Sequence, residues 1–342
     1  MQAPESWLHP TPAGLYCEPG GFHVDPVRAV PRAVITHAHS DHARPGHQEV
    51  LASPETLALM RARLGPARAG LRQRALGWGE VVRVGDVALR LVPAGHVLGS
   101  AQVVMEYAGT RAVVSGDYKR HPDPTCRPFE AVACDLFVTE ATFGLPVFRH
   151  PAPEGEIARL LASLALFPGR CHLVGAYSLG KAQRVIALLR AAGWERPVFL
   201  HGAHAALCAV YETLGVRLGP LAPVPAGKGR LAGEIVLAPP SALADRWLAR
   251  LADPLVACAS GWMGIRARAR AGGVELPLVL SDHADWDALL ATIAEVDAPE
   301  VWVTHGREDA LLRAMALAGR RARALRLIGY GEEDAAEDAP AA

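Results

Sequence analysis

The chain has 342 residues, 51% of them hydrophobic, which is enough for a sizeable core and argues for two domains rather than one. Its 35 basic and 35 acidic side chains cancel, so net charge alone does not mark it for a polyanion, and no stretch approaches the roughly 20 apolar residues that a membrane span needs. Cys17, Cys126, Cys134, Cys171, Cys208 and Cys258 are scattered without a Cys-x-x-Cys pair and read as reduced thiols of a cytoplasmic protein; Met1–Pro10 lacks the basic and apolar regions of a signal peptide.

Short β-branched runs predict strands at Ala33–Thr36, Val81–Val84, Val87–Val92, Gln102–Tyr107, Ala112–Ser115 and Leu136–Thr139. Ser53-Pro54-Glu55 predicts a helix start, with Ser53 as cap and proline in the first turn. Residues 1–152 therefore form a strand-rich domain. After Pro151-Ala152-Pro153 the texture changes: helical patterns alternate with buried strands at Cys171–Ala176, Val198–Leu200 and Leu255–Ala259, which predicts an α/β domain with a parallel sheet over 153–272. Beyond Gly272-Gly273 the first domain is expected to resume over 273–330, with a strand at Leu278–Ser281, a helix from Trp286 and a strand at Val301–Thr304. Residues 331–342 carry five acids and no base and read as a disordered tail, leaving 35 basic against 30 acidic side chains in the body. Nearly all the bases are arginine; lysine occurs only at Lys119, Lys181 and Lys228.

The chemistry concentrates in Thr36-His37-Ala38-His39-Ser40-Asp41-His42, directly after a predicted strand. Three imidazoles and a carboxylate that close together are costly to bury without a cation, and imidazole with carboxylate suits zinc or manganese. Alternation sends His37 and His39 to one side, and the turn brings Asp41 and His42 to a second site. Further candidate ligands, His96, Asp117 and His305, each end an apolar run beside glycine, where the backbone turns sharply and a metal can approach.

In this order, Asp25, the His37–His42 cluster, His96 and Asp117 resemble the metallo-β-lactamase superfamily. Glu140 in "TEATFGLP", His283 in "LSDHADW" and His305 resemble the three additional motifs of its β-CASP group of nucleases. The resemblance implies an αββα sandwich with an inserted α/β domain and two divalent ions, Zn2+ or Mn2+. His37, His39 and His96 would hold one ion and Asp41, His42 and His305 the other, with Asp117 bridging. It further implies that Asp25 holds a ligand histidine through its other nitrogen, that Asp41 orients the attacking water or takes its proton, and that His283, positioned by Glu140, protonates the leaving oxygen or steadies a phosphate oxygen. The longer wording, "VITHAHSDHARPGH", "PAGHVLGSAQ" and "SGDYKRHPDPTC", is similar more narrowly to bacterial DNA-ligase-associated exonucleases. That implies single-stranded or end-containing DNA as substrate and a ligase and a helicase as partners in DNA repair.

RNA processing stays open as an alternative, because Artemis-type DNA nucleases lack the histidine matched to His305 and RNA-processing members have it. A small-molecule hydrolase does not need a second domain of this size, and a non-catalytic scaffold predicts eroded ligands. Within the inserted domain, Ser178 and Lys181 lie at a strand-to-helix turn suited to phosphate, although ordinary turn chemistry explains it equally. Ser260-Gly261-Trp262 resembles the Ser-Gly-Met loop of β-CASP proteins, where the backbone approaches phosphate and Trp262 is placed to stack on a base. Arginine runs at Arg61–Arg74 and Arg266–Arg270 suit a nucleic-acid backbone or simply a solvated face.

Overall fold

Strand alternation decides the layering. In β8 (Val87–Pro93), β9 (Ala101–Tyr107), β10 (Thr110–Val114) and β11 (Leu136–Ala141), Leu89, Val103, Met105, Val114, Leu136 and Val138 enter one core. Val104, Val113 and Phe137, one residue out of step, enter another, as a period of two requires. The computed structural model describes residues 2–225, 231–243, 247 and 251–325, in two units: Met1–Arg149 with His283–Ala342, and His150–Asp282. Lys228 and the acidic stretch 331–342 lie outside the described residues.

In the first unit a six-stranded sheet runs in sequence order: β1 (Leu8–Thr11), β2 (Gly14–Cys17), β3 (Phe22–Val24), β4 (Arg32–Val34), β5 (Glu49–Ala52) and β6 (Arg72–Ala75). β5 and β6 are joined by α1 (Pro54–Leu64), which Ser53 caps by accepting from Thr56 N at 3.1 Å. The second sheet has seven strands, starting from its last: β19 (Arg321–Ala324), β18 (Glu300–Gly306), β11, β10, β9, β8 and β7 (Val82–Val84). Between the sheets lies the first core, where Trp302, Phe22 and Leu15 are fully buried, each apolar side chain contributing about 1.5–3 kcal/mol. Leu289, Ile293 and Val296 of α6 (Trp286–Val296) and Leu311 and Met315 of α7 (Glu308–Leu317) cover the outer face. Their three- and four-residue spacing forms one helical stripe. This is the αββα sandwich expected from the sequence. Among the described residues no helix is long and apolar enough to cross a membrane.

The second unit is an α/β domain. It comprises α2 (Pro153–Leu166), β12 (His172–Gly175), α3 (Lys181–Ala191), β13 (Val198–Leu200), α4 (Gly202–Thr213), β14 (Leu221–Pro223), β15 (Ile235–Ala238), β16 (Leu255–Ala259), α5 (Arg266–Ala271) and β17 (Leu276–Leu278). Its sheet is parallel throughout, in the order β14-β13-β15-β12-β16-β17.

The boundary and one strand differ from the sequence reading. The first unit resumes at His283, not at 273, because β17 extends the parallel sheet beside β16. The strand expected at Leu278–Ser281 stops at Leu278. The carbonyls of Leu280 and Ser281 are taken by Lys181 Nζ and an Arg184 guanidinium nitrogen instead of a neighbouring strand.

Candidate metal centre

The site is built at strand ends, where ladder hydrogen bonding stops and side chains supply the partners. The strand expected to reach Thr36 ends at Val34, because the amide of Thr36 donates to Asp25 Oδ1 at 2.8 Å. Asp25, held at φ 44°, accepts with Oδ2 from Thr36 Oγ1 at 2.5 Å and from His42 Nδ1 at 2.8 Å. Thr36 Oγ1 lies 3.0 Å from His37 Nδ1. With the hydroxyl donating to Asp25, it accepts from that nitrogen. Nδ1 of both His37 and His42 is thus the donor, and Nε2 of each is turned to the interior. Thr36 escaped the sequence reading; its one signal was its position between the strand and the first histidine.

Asp117 Oδ2 lies 3.4 Å from His37 Nε2, 3.2 Å from His42 Nε2 and 3.9 Å from His96 Nε2. His39 Nδ1 approaches His96 Nε2 to 3.0 Å. Candidate donor atoms of His37, His39, His96 and Asp117 lie within 4.8 Å of one another, and so do those of Asp41, His42 and His305. His305 enters through an irregularity in β18: the register with β11 shifts between Val303 and Gly306, and His305 takes φ 58°. Its ring stacks on His42 at 4.9 Å. A third group, Asp117, Glu140 and His283, adjoins these. Glu140, fully buried in β11, accepts from Tyr118 N at 2.7 Å and from His283 Nδ1 at 2.9 Å, and the His283 ring lies 4.6 Å from that of His96. The helix after it is capped by Asp285, whose side chain accepts from Ala288 N. His283 is therefore free of capping duty.

Burial, then the neighbouring charge of His42, holds His37 well below the usual histidine range, so it is a neutral acceptor at pH 7. Burial alone would push His42 the same way, but Asp117, Asp41 and Asp25 together hold it well above that range. Burial would likewise raise Asp117, yet His42 and His37 keep it ionised. Burial raises Glu140, opposed by His283. Two fully buried atoms, His37 Nε2 and Asp117 Oδ1, have no hydrogen-bond partner among the described residues. Acceptors left bare inside a protein are costly, and a divalent cation satisfies both, so the residues present fit the metal that the fold implies. Such a cation must displace the proton from His42. Zinc uptake at pH 7 is therefore expected to release protons and to weaken as the pH falls, measurable by calorimetry in buffers of different ionisation enthalpy.

Two substitutions probe this scaffold. Asp25→Ala leaves His42 unoriented and is expected to weaken zinc binding roughly 10–100-fold in a chelator competition. Gly116, at φ 56°, lets the turn before Asp117 press on Thr36, where a Cβ would lie 2.7 Å from the Thr36 side chain. Gly116→Ala is expected to cost at least about 1–3 kcal/mol of stability, read by denaturant titration.

The residues assigned to substrate lie in the second unit. Ser178 gives its carbonyl to Gln183 Nε2 at 3.0 Å in the turn before α3. Ser260 caps a short 3-10 turn, Gly261–Gly264, and Arg268 lies 4.2 Å over the Trp262 ring. The ammonium of Lys181 is buried, 2.7 Å from Asp282 Oδ2 and 2.7 Å from Leu280 O. A phosphate would have to displace that carboxylate.

Two stacked sheets flanked by helices, with adjoining groups of His and Asp at the strand ends that could hold metal ions, are the features of the metallo-β-lactamase fold. No family model matches the chain. It is 30% identical over 335 residues, 95% of its length, to a probable DNA ligase of Opitutus terrae, of which it spans 31%. It is 33% identical over 143 residues to an endoribonuclease of Aspergillus fumigatus, spanning 16% of that protein, and 30% identical over 210 residues to a ribonuclease of Thermus thermophilus, spanning 46%. The chain thus covers less than half the length of each. A crystal structure of a protein of unknown function from Enterococcus faecalis shares the fold, with a TM-score of 0.55 over 87% of this chain and 80% of that one, at 16% identity. The chain belongs to the β-CASP group of the metallo-β-lactamase superfamily.

Proposed function

We propose that the protein is a two-metal phosphodiesterase that degrades DNA from an end, in the cytoplasm, as part of DNA repair. The observation that carries the reading is the pair of ligand sets meeting around Asp117, with the Glu140–His283 couple beside them. When bound, two divalent ions would activate water and neutralise charge on a phosphodiester. The chain's own residues divide the remaining work. Asp25 and Thr36 orient His42 and His37; Asp41 is assigned to orient the attacking water or take its proton. Glu140 fixes His283 with Nδ1 as donor, leaving Nε2 to protonate the leaving oxygen. Ser178, Ser260, Gly261 and Trp262 are proposed to meet the substrate backbone and a base, and Lys181 only if Asp282 yields it.

DNA is favoured because nearly the whole chain matches about a third of a longer polypeptide named as a DNA ligase. A module found in one polypeptide with a ligase is best explained by shared work on the same ends, which supports the ligase partnership; the helicase rests on the motif resemblance alone. Six free thiols suit a reducing compartment. RNA is the second reading, favoured by His305 at the site and by relatives named as ribonucleases.

The test is a time course on DNA and RNA strands of one sequence, labelled at either end, with added zinc or manganese. Stepwise shortening of DNA with RNA intact is the expected result and shows the polarity. Preferred cutting of RNA replaces the DNA reading, and no cutting of either by metal-loaded protein overturns the nuclease.

A further inference from the structure

Between β10 and β11 the chain buries an ion pair that no step above uses. The side chains of Lys119 and Asp123 are each 2% exposed, with Lys119 Nζ 2.5 Å from Asp123 Oδ2. The other oxygen, Oδ1, accepts from Thr125 N at 2.8 Å and from Thr125 Oγ1 at 2.6 Å, which fixes the carboxylate. Lys119 Nζ also donates to the main-chain carbonyl of His96 at 3.0 Å. On the other side of that residue, His96 N donates to Ser100 Oγ at 3.0 Å. Both main-chain polar groups of the ligand histidine are therefore held by side chains.

The same segment grips the two residues before His96. Lys119 N donates to Ala94 O at 3.2 Å, and Cys126 Sγ donates to Gly95 O at 3.4 Å. Gly95 sits at φ 75°, where a Cβ would stand 2.5 Å from Lys119 O, so the two backbones meet as closely as glycine allows. Asp117 lies two residues before Lys119 and His96 at the far end of the Nζ hydrogen bond. One side chain thus ties together two candidate ligands that arrive from different strands. In a chain with only three lysines, the compact ammonium suits a point shared by a carbonyl and a carboxylate better than a planar guanidinium does.

We propose that Lys119, locked by Asp123, is a positioning residue for the metal centre, presetting His96 against Asp117 before a cation binds. The proposal rests on the reading of His37, His39, His96 and Asp117 as a metal site. A pair that only stabilised the loop would change thermal stability and leave the metal unaffected.

The experiment compares the parent with Lys119→Met/Asp123→Leu, which removes both charges together and leaves neither buried alone. Zinc affinity is read by competition with a chromogenic chelator, and ligand geometry by the visible absorption of the cobalt(II) form. The expected result is a folded protein with zinc affinity down roughly 10–100-fold and an altered cobalt spectrum. Parent-like affinity and spectrum in the folded variant overturn the proposal. If the double variant does not fold, Asp123→Asn keeps the ammonium beside a neutral partner; a smaller loss of zinc affinity supports the proposal and an unchanged affinity overturns it. A parent protein that takes up neither metal overturns the metal-site reading, and the proposal with it.

Discussion

Asp117→Ala is expected to lower metal-supported phosphodiester hydrolysis by roughly a thousandfold or more, together with the loss of bound metal. The size follows from position. Asp117 Oδ2 stands within 3.9 Å of ring nitrogens of His37, His42 and His96, so one carboxylate serves histidines from both ligand sets. It is also the counter-charge that opposes their mutual repulsion: His42 and His37 hold it ionised despite complete burial. Removing it takes away a carboxylate that favours positive charge on these rings and would offset the charge of a cation, so the remaining histidines hold a metal poorly. Metal ions supply several kcal/mol of transition-state stabilisation, and each 1.36 kcal/mol is tenfold in rate, hence the estimate. The check is a matched assay of metal content and of rate on a small phosphodiester such as bis(p-nitrophenyl) phosphate, which needs no nucleic-acid contact. Near-parental rate with metal retained would remove Asp117 from the centre and with it the shared-ligand geometry.

The candidate ligands stood out in the sequence because the histidines and aspartates cluster at the ends of β-branched runs, and strand ends are where an open α/β arrangement presents side chains. The helix start at Ser53 and the alternating strands of the second sheet were readable for the same local reasons. Among the supports, Asp25 and Glu140 were readable through the resemblance alone, and Thr36, Lys119 and Asp123 were not readable as supports. Thr36 gave no signal beyond its neighbours, since its role depends on Asp25, which is distant in sequence and comes close only when β3 pairs with β4. Lys119 and Asp123 stand in a run of charged residues and prolines, and only burial distinguishes them from a solvated pair. Strands such as β6, Arg72–Ala75, were missed because an exposed edge strand needs no apolar alternation. The return of the first unit was placed too early because Gly272-Gly273 marks a turn before β17, a strand that joins the inserted sheet.

His283→Ala is expected to cut kcat by roughly a hundredfold to ten-thousandfold while leaving the metal content and zinc affinity of the parent. The separation matters because Asp117, Glu140 and His283 by themselves also form a group whose donor atoms lie within 4.8 Å of one another, as a third metal position would require. The hydrogen bonds argue for the proton role. Glu140 already accepts from Tyr118 N and from His283 Nδ1, so its oxygens face donors rather than a cation, and it holds His283 with one nitrogen committed. A histidine so braced presents its other nitrogen at a fixed place, as proton transfer to a leaving oxygen needs. Glu140→Gln keeps an acceptor for His283 but not the charge that favours its protonated form, so a smaller fall in kcat with the same metal content is expected. The pair is measured by equilibrium metal content beside the pH–rate profile. Loss of kcat with metal intact, and loss of one limb of that profile in His283→Ala, is the outcome of a general acid. Loss of one equivalent of metal in both variants would instead make the Glu140–His283 couple a ligand set and leave the leaving oxygen to solvent.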